Sequence, residues 1–228
     1  MTSIVYNLKA VHERIERACA ACGRENDPPE LVAVSKKKDV PVLREALEAG
    51  IDLFGENRIQ EVMVKQPELP GHVRWHLVGH LQSNKVKHAI HCGFELIHSV
   101  DSEKLLRALD RTAAEQGVNQ AVLLQVNVSG EGSKYGISPG DLIPLLESAA
   151  DCVRLDVQGL MTIPPASKDP ADAAPFFAVL RELRNQAAEA TGFDLPHLSM
   201  GMSHDLEVAI REGATLVRVG TDIFGKRS

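Results

Sequence analysis

Five times in this chain a helix-like stretch stops at a glycine and an apolar run follows. "REALEAG" leads into "IDLFGEN", "HAIHCG" into "FELIHSV", "RTAAEQG" into "AVLLQVNV", "NQAAEATG" into "HLSMG", and "EVAIREG" into "ATLVRVG". Gly50, Gly93, Gly117, Gly192 and Gly213 suit the left-handed position just past a last helical turn, which a β-carbon disfavours. Helix starts are marked too: Asp101 or Ser102 before "EKLLRAL", Ser138 before Pro139, and Ser203 before "HDLEVAI". The pattern predicts eight strands, "LVAVS", "DLFG", "RWHLVG", "FELIHSV", "AVLLQVNV", "LDVQGLMT", "HLSMG" and "LVRVG". Several are continuously apolar, as parallel strands covered on both faces are. Helices are expected over residues 40–49, 57–66, 82–91, 103–116, 139–150, 174–190 and 203–212. Ile4, Leu8, Val11, Ile15 and Cys19 recur at helical spacing and predict a leading helix over residues 2–22. The expected fold is therefore α/β, a single (β/α)8 TIM barrel with an extra N-terminal helix. An open doubly wound sheet is the competitor, but it usually has fewer strands, and the glycine-rich dinucleotide fingerprint is missing after the first strand.

The 228 residues, 44% of them hydrophobic, are enough for one sizeable core. Residues 1–228 read as one domain, because the only long Pro/Ala/Asp stretch, "IPPASKDPADAAP" at 163–175, lies between a strand and a helix and reads as a loop over the barrel mouth. Lys plus Arg is 25 against 31 Asp plus Glu, so the formal net charge of −6 leaves no nucleic-acid footprint and no polybasic membrane anchor. No apolar run approaches the ~20 residues of a membrane span. The first residues are charged throughout and lack a secretory core. Cys19, Cys22, Cys92 and Cys152 do not form a disulfide framework, and the Cys19/Cys22 pair has no second pair of matching spacing for a metal. A reducing, cytoplasmic setting is expected.

In a (β/α)8 barrel the chemistry sits at the C-terminal ends of the strands. The first strand ends in Ser35-Lys36, followed by Lys37 and Lys38. Partial desolvation and two adjacent positive charges favour a neutral amine at Lys36, the nucleophile that condenses with an aldehyde. The plain alternative is a solvated lysine cluster. Arg218 sits inside the apolar "LVRVG" and needs a fixed acceptor, either a carboxylate such as Glu56 or Asp101 or an acceptor on a bound ligand. The loops after strands seven and eight often hold phosphate in this fold. Here they carry "SMGMS", with Ser199 and Met200, and Gly220-Thr221. An aldehyde-reactive amine, a phosphate cradle and a buried donor together describe a site for pyridoxal 5′-phosphate (PLP).

The matching stretches "LVAVSKKK", "FGENRIQE", "WHLVGHLQSNK", "IHSVDS", "QVNVSGEGSKYGI", "GLMTIPP", "LSMGMSHDLEVAI" and "VRVGTDIFGKR" run from residue 31 to 227. In these the sequence resembles the pyridoxal phosphate homeostasis proteins, the YggS/PROSC family, whose barrel is like the N-terminal domain of alanine racemase. The resemblance implies PLP held as an internal aldimine on Lys36. It implies phosphate contacts from Ser199, Gly220, Thr221 and the loop amides around Met200. It also implies Arg218 facing the pyridine nitrogen and Asn57 near the cofactor. "HLQSNK", with His80, Asn84 and Lys85, matches without an assigned role. Arg58 and Ile59 depart from the aromatic or aliphatic residues common there, and Lys37 is a polar variant.

An arginine at the pyridine nitrogen keeps it mostly unprotonated and makes the ring a weaker electron sink. Alanine racemase relatives bring a second acid/base from a separate domain of a partner chain. This sequence stops shortly after strand eight, and its only tyrosines are Tyr6 and Tyr135. The expected function is intracellular PLP homeostasis: a monomeric, non-catalytic carrier that holds PLP and delivers it, with apo PLP-dependent enzymes as recipients. An amino-acid racemase-type enzyme is the alternative, and a Schiff-base aldolase a further rival. Lys134, in the glycine-flanked "GEGSKYG", is expected either to take part in cofactor exchange or to be a solvated loop lysine.

Overall fold

The computed structural model describes residues 3–132 and 134–225. Residue 2 of the expected leading helix, Ser133 of "GEGSKYG" and the final "KRS" lie outside the described residues. Eight parallel strands close into a barrel in sequence order: β1 (Glu30–Val34), β2 (Leu53–Glu56), β3 (Arg74–Leu77), β4 (Leu96–Val100), β5 (Gln120–Gln125), β6 (Leu155–Met161), β7 (His197–Met202) and β8 (Leu216–Val219). Pairing of β8 with β1, Leu216 beside Glu30 through Val219 beside Ala33, closes the ring.

Among the described residues the helices are α1 (Ile4–Ala20), α2 (Val40–Glu48), α3 (Ile59–Lys65), α4 (Val86–Cys92), α5 (Glu103–Gln116), α6 (Leu142–Ala149), α7 (Ala174–Thr191), α8 (Leu206–Arg211) and α9 (Thr221–Phe224). Each crossover helix follows the strand it was expected to follow, and α1 precedes the barrel. Gly93, Gly117 and Gly192 cap α4, α5 and α7 in the left-handed conformation, with φ of 64°, 69° and 75°. Ser102 caps α5 by accepting from the Leu105 amide at 3.3 Å. Three helix starts are shorter than the sequence suggested. α4 is entered through a 3₁₀ turn at Ser83–Lys85, α6 through one at Pro139–Asp141, and α8 is capped at Asp205, two residues beyond Ser203. The 163–175 stretch ends in another 3₁₀ turn, Pro170–Ala173, that runs into α7.

Side-chain alternation sorts each strand into an inner and an outer row. Outer residues such as Ala33, Phe54, Trp75, Ile97 and Leu124 pack under the helices in the main core. Inner residues Val32, Leu53, Val78, Leu96, Leu123, Met161 and Leu216 form a separate cluster on the barrel axis. Lys36 therefore follows the inward row of Val32 and Val34, which settles a parity that the sequence leaves open.

One close approach fixes the mouth of the barrel. A β-carbon on Gly79, just past β3, would lie 2.3 Å from the Asn57 carbonyl oxygen and 2.6 Å from its α-carbon. Both contacts are backbone, so neither can swing aside. Gly79→Ala is expected to cost at least ~2 kcal/mol in unfolding free energy, at the upper part of the range for overpacked sites. It should also displace Asn57. A urea denaturation midpoint, compared with that of Gly71→Ala, where nothing lies within 4 Å of the added carbon, checks the expectation.

Candidate functional site

At the end of β1 the chain makes a tight turn, with the Lys38 amide donating to the Ser35 carbonyl at 3.0 Å. Lys37, the third residue of this turn, has φ of +60°, and among the described residues it is the only non-glycine with positive φ. Such a conformation suits Gly or Asn. It is held by Glu61, whose carboxylate accepts from the Lys37 amide at 2.6 Å. Beneath the turn lies a charged cluster. Glu56 Oε1 accepts from Ser35 Oγ at 2.7 Å and from Lys65 Nζ at 2.6 Å, and Lys65 also donates to the Ser35 carbonyl at 3.1 Å and to Glu61 at 2.9 Å. Glu56 is fully buried, and burial pushes its carboxyl up despite the bonds from Lys65 and Ser35. Removing either Glu56 or Lys65 would strand a buried charge. The cluster clamps the backbone on both sides of Lys36, whose half-buried side chain reaches the mouth.

Arg218 on β8 is buried at 4% exposure. Among the described residues it makes no ion pair with Glu56, Asp101 or any other carboxylate. Its Nη1 donates to Ser199 Oγ at 2.5 Å and its Nη2 to the Thr162 carbonyl at 2.9 Å. Burial lowers its pKa to about 10, with Asp205 acting in the opposite sense, so it stays charged at neutral pH. A buried guanidinium with neutral partners only is costly unless something else uses it.

The same serine starts a chain of bonds through the barrel. Ser199 Oγ lies 2.8 Å from His98 Nδ1, and His98 Nε2 lies 2.9 Å from His76 Nδ1. Arg218 can only donate, so Ser199 accepts from it; which partner donates at each imidazole nitrogen follows the histidine tautomers. His76 Nε2 faces Glu95 at 3.8 Å, beyond hydrogen-bond reach.

The cavity at the mouth has a volume of about 300 Å³ and is lined by Lys36, Asn57, Arg218, Gly220, Thr221 and Ser203, with Val34, Val78 and Ile163 as apolar walls. Five of the seven residues expected at the site meet there: Lys36, Asn57, Arg218, Gly220 and Thr221. Ser199 and Met200 do not line it. Ser199 is fully buried beneath Arg218, and Met200 points outward into the helix-facing core. The cause is a bulge. β7 pairs Ser199 with Leu216 and Met202 with Arg218, so it carries one residue more than β8 over this span. Gly201 absorbs the extra residue at φ +89°, with its position for a β-carbon only 2.5 Å from Ala209 Cβ. The kink turns Met202 and Ser203 to the cavity. Gly220 approaches β1, where a β-carbon would sit 3.1 Å from the Val34 carbonyl. A larger groove of about 680 Å³ lies outside the barrel near α3, between Lys37, Arg58 and Glu68, and does not include Lys36 or Arg218.

Across the mouth, His80 pairs with Asp101 at 3.2 Å and stacks on Tyr135 at 3.8 Å between ring centroids. Lys134 Nζ donates to the Pro164 carbonyl at 2.6 Å, tying the loop after β5 to the loop after β6 rather than standing in solvent. Asn84 and Lys85 sit in the 3₁₀ turn before α4, away from the cavity wall.

His98 is wholly buried, and its pKa falls well below the usual histidine value because burial, then His76 and Arg218, oppose a positive charge. Below about pH 6.5 the unfolded chain takes up a proton that folded His98 refuses. Stability should therefore fall as pH drops below 6.5, by up to ~1.4 kcal/mol per pH unit for this group, and be indifferent to it above. Urea unfolding at pH 7.5 and 5.5 reads the slope, and His98→Asn should flatten it.

Comparison with known proteins agrees with this architecture. The family model "Alanine racemase, N-terminal domain" matches residues 6–228. A pyridoxal phosphate homeostasis protein from Aquifex aeolicus (strain VF5) is 44% identical over 221 residues, covering 96% of each chain. Another, from Pseudomonas aeruginosa, is 44% identical over 230 residues, covering 100% of this chain and 97% of that one. The solved structure of PipY from Synechococcus elongatus PCC7942, with PLP bound, is 36% identical at a TM-score of 0.85, covering 98% of this chain and 100% of that one. Alanine racemase from Clostridium difficile 630, at 14% identity and a TM-score of 0.77, shares the fold over 57% of its own length. With relatives this similar across nearly the whole sequence, the chain belongs to the pyridoxal phosphate homeostasis protein family, on the alanine racemase N-terminal barrel.

Proposed function

We propose that this chain binds PLP covalently through Lys36 and serves intracellular PLP homeostasis, holding the cofactor and delivering it without robust turnover. The observation that carries the reading is the convergence, on one cavity of about 300 Å³, of the Lys36 amine and a buried Arg218 whose hydrogen-bond partners are all neutral. That volume is at the small end of ligand cavities, and a lysine and a guanidinium at its wall suit a small anionic aldehyde. Lys36 would supply the amine that holds the cofactor, and PLP would supply the electrophilic aldehyde.

The remaining residues divide the work. Ser203, Gly220 and Thr221 line the end that takes the phosphate, in the role first expected of Ser199 and Met200. Arg218 donates to the pyridine nitrogen, and Ser199 acts through Arg218. Asn57, fixed by Gly79, forms the wall beside β2. An arginine opposite the ring nitrogen favours storage over carbanion chemistry. Apo PLP-dependent enzymes of the cytoplasm are the recipients. Among the described residues no helix is long and apolar enough to cross a membrane.

Protein loaded with PLP should show a visible band that borohydride abolishes, with the added mass mapping to Lys36. Lys36→Ala should bind at least tenfold more weakly and lose the label. A full covalent label on the alanine variant would overturn the reading, and so would rapid exchange of an amino acid's α-hydrogen for solvent deuterium.

A further inference from the structure

A (β/α)8 barrel closes without a helix ahead of its first strand, yet α1 lies across α8 and α9, under the loops that follow β7 and β8. Arg14, midway along α1, meets both loops. Its Nε and Nη2 donate to the two carboxylate oxygens of Glu207 on α8, at 2.6 and 2.8 Å. Its Nη1 donates to the carboxylate of Asp222 on α9. Its Nη2 also donates to the Ser203 carbonyl at 3.0 Å. One planar fork, in a geometry that lysine cannot copy, thus holds both segments from behind.

The two segments also meet each other, since Ser203 Oγ accepts from the Asp222 amide at 3.4 Å. Asn7 of α1 adds a bond from its Nδ2 to the Ile223 carbonyl at 2.9 Å. Ser203, Gly220 and Thr221 form one end of the mouth cavity, and Arg14 is not among the residues lining it. Arg14 does not act as a bare positive charge either. Glu207 and Asp222 together outweigh it, so its effect on an anion next door is geometric, and through the neutralisation of those two carboxylates.

We propose that Arg14 is a positioning residue for phosphate recognition: it sets the spacing between Ser203 and the Thr221–Asp222 segment and so makes α1 part of the ligand site. This rests on the reading of Ser203, Gly220 and Thr221 as the phosphate end. Removing Arg14 frees the spacing and leaves two uncompensated carboxylates behind the seat of a phosphate dianion. The loss should therefore fall on ligands that carry phosphate.

The test measures dissociation constants for PLP and for 5′-deoxypyridoxal, which keeps the ring and aldehyde, lacks phosphate and cannot cyclise. Wild type should bind PLP at least tenfold more tightly than the deoxy analogue. Arg14→Ala should lose at least tenfold in PLP affinity while its affinity for the analogue stays within twofold, and Arg14→Lys should fall between. Should Arg14→Ala not fold, Arg14→Lys carries the same comparison, with Arg17→Ala, on the same helix, as the control expected to leave both affinities unchanged. Equal affinity of wild type for both ligands would overturn the phosphate-end reading itself. If wild type discriminates but the variants discriminate as well, or lose both ligands equally, Arg14 only braces the fold and the inference is wrong.

Discussion

A single buried guanidinium governs the interior of this barrel. Barrels of this type fill their axis with layers of branched apolar side chains. Here the inner row contains such a cluster, Val32, Leu53, Leu96, Leu123 and Leu216 among it, but Arg218, Ser199, His98 and His76 are built into the same axis. Two imidazoles and a hydroxyl contribute little to packing that leucine would not do better. What they provide is a hydrogen-bonded chain that begins at Ser199, the acceptor of Arg218 Nη1. The same burial that makes the site costly also keeps His98 uncharged beside Arg218. The cavity above inherits a cation whose local compensation is incomplete.

The ends of the strands are shaped from outside the barrel as much as from within. Lys65 of α3 and Glu56 of β2 hold the turn that carries Lys36. The backbone of Asn57 rests against Gly79. Arg14 of α1 gathers the segments after β7 and β8. Each is a strong, specific contact made behind the site rather than in it.

How much of this could be read in advance depended on local chemistry. The barrel was legible because glycine stops and apolar runs are local signals, and three of those stops cap helices in the left-handed conformation. Lys36 and Arg218 were legible because a long cation at or within an apolar strand has few bland explanations. Ser199 and Met200 were expected at the cavity from the "SMGMS" turn, and the bulge at Gly201 brings Met202 and Ser203 to its wall instead. Nothing in "SMGMS" announces a bulge except the glycine itself, and a glycine in a strand has several uses. His76 and His98 have no assigned role in the sequence, since nothing local joins them. Their signal was parity, each on the inward row of a neighbouring strand, which needed a register no sequence supplies. The Arg14 contacts join residues about 190 to 210 positions apart along the chain and leave no local trace.

Lys37 gives the turn a mechanical character. Its left-handed backbone carries a β-carbon and costs of order 1 kcal/mol relative to an ordinary conformation, and a single carboxylate, that of Glu61, accepts its amide. That cost is carried by the bonds on either side of Lys36: the Glu61 carboxylate on the Lys37 amide, the Lys38 amide on the Ser35 carbonyl, and Lys65 on the same carbonyl. The direction of the Lys36 side chain is therefore tied to a helix, α3, that never enters the barrel.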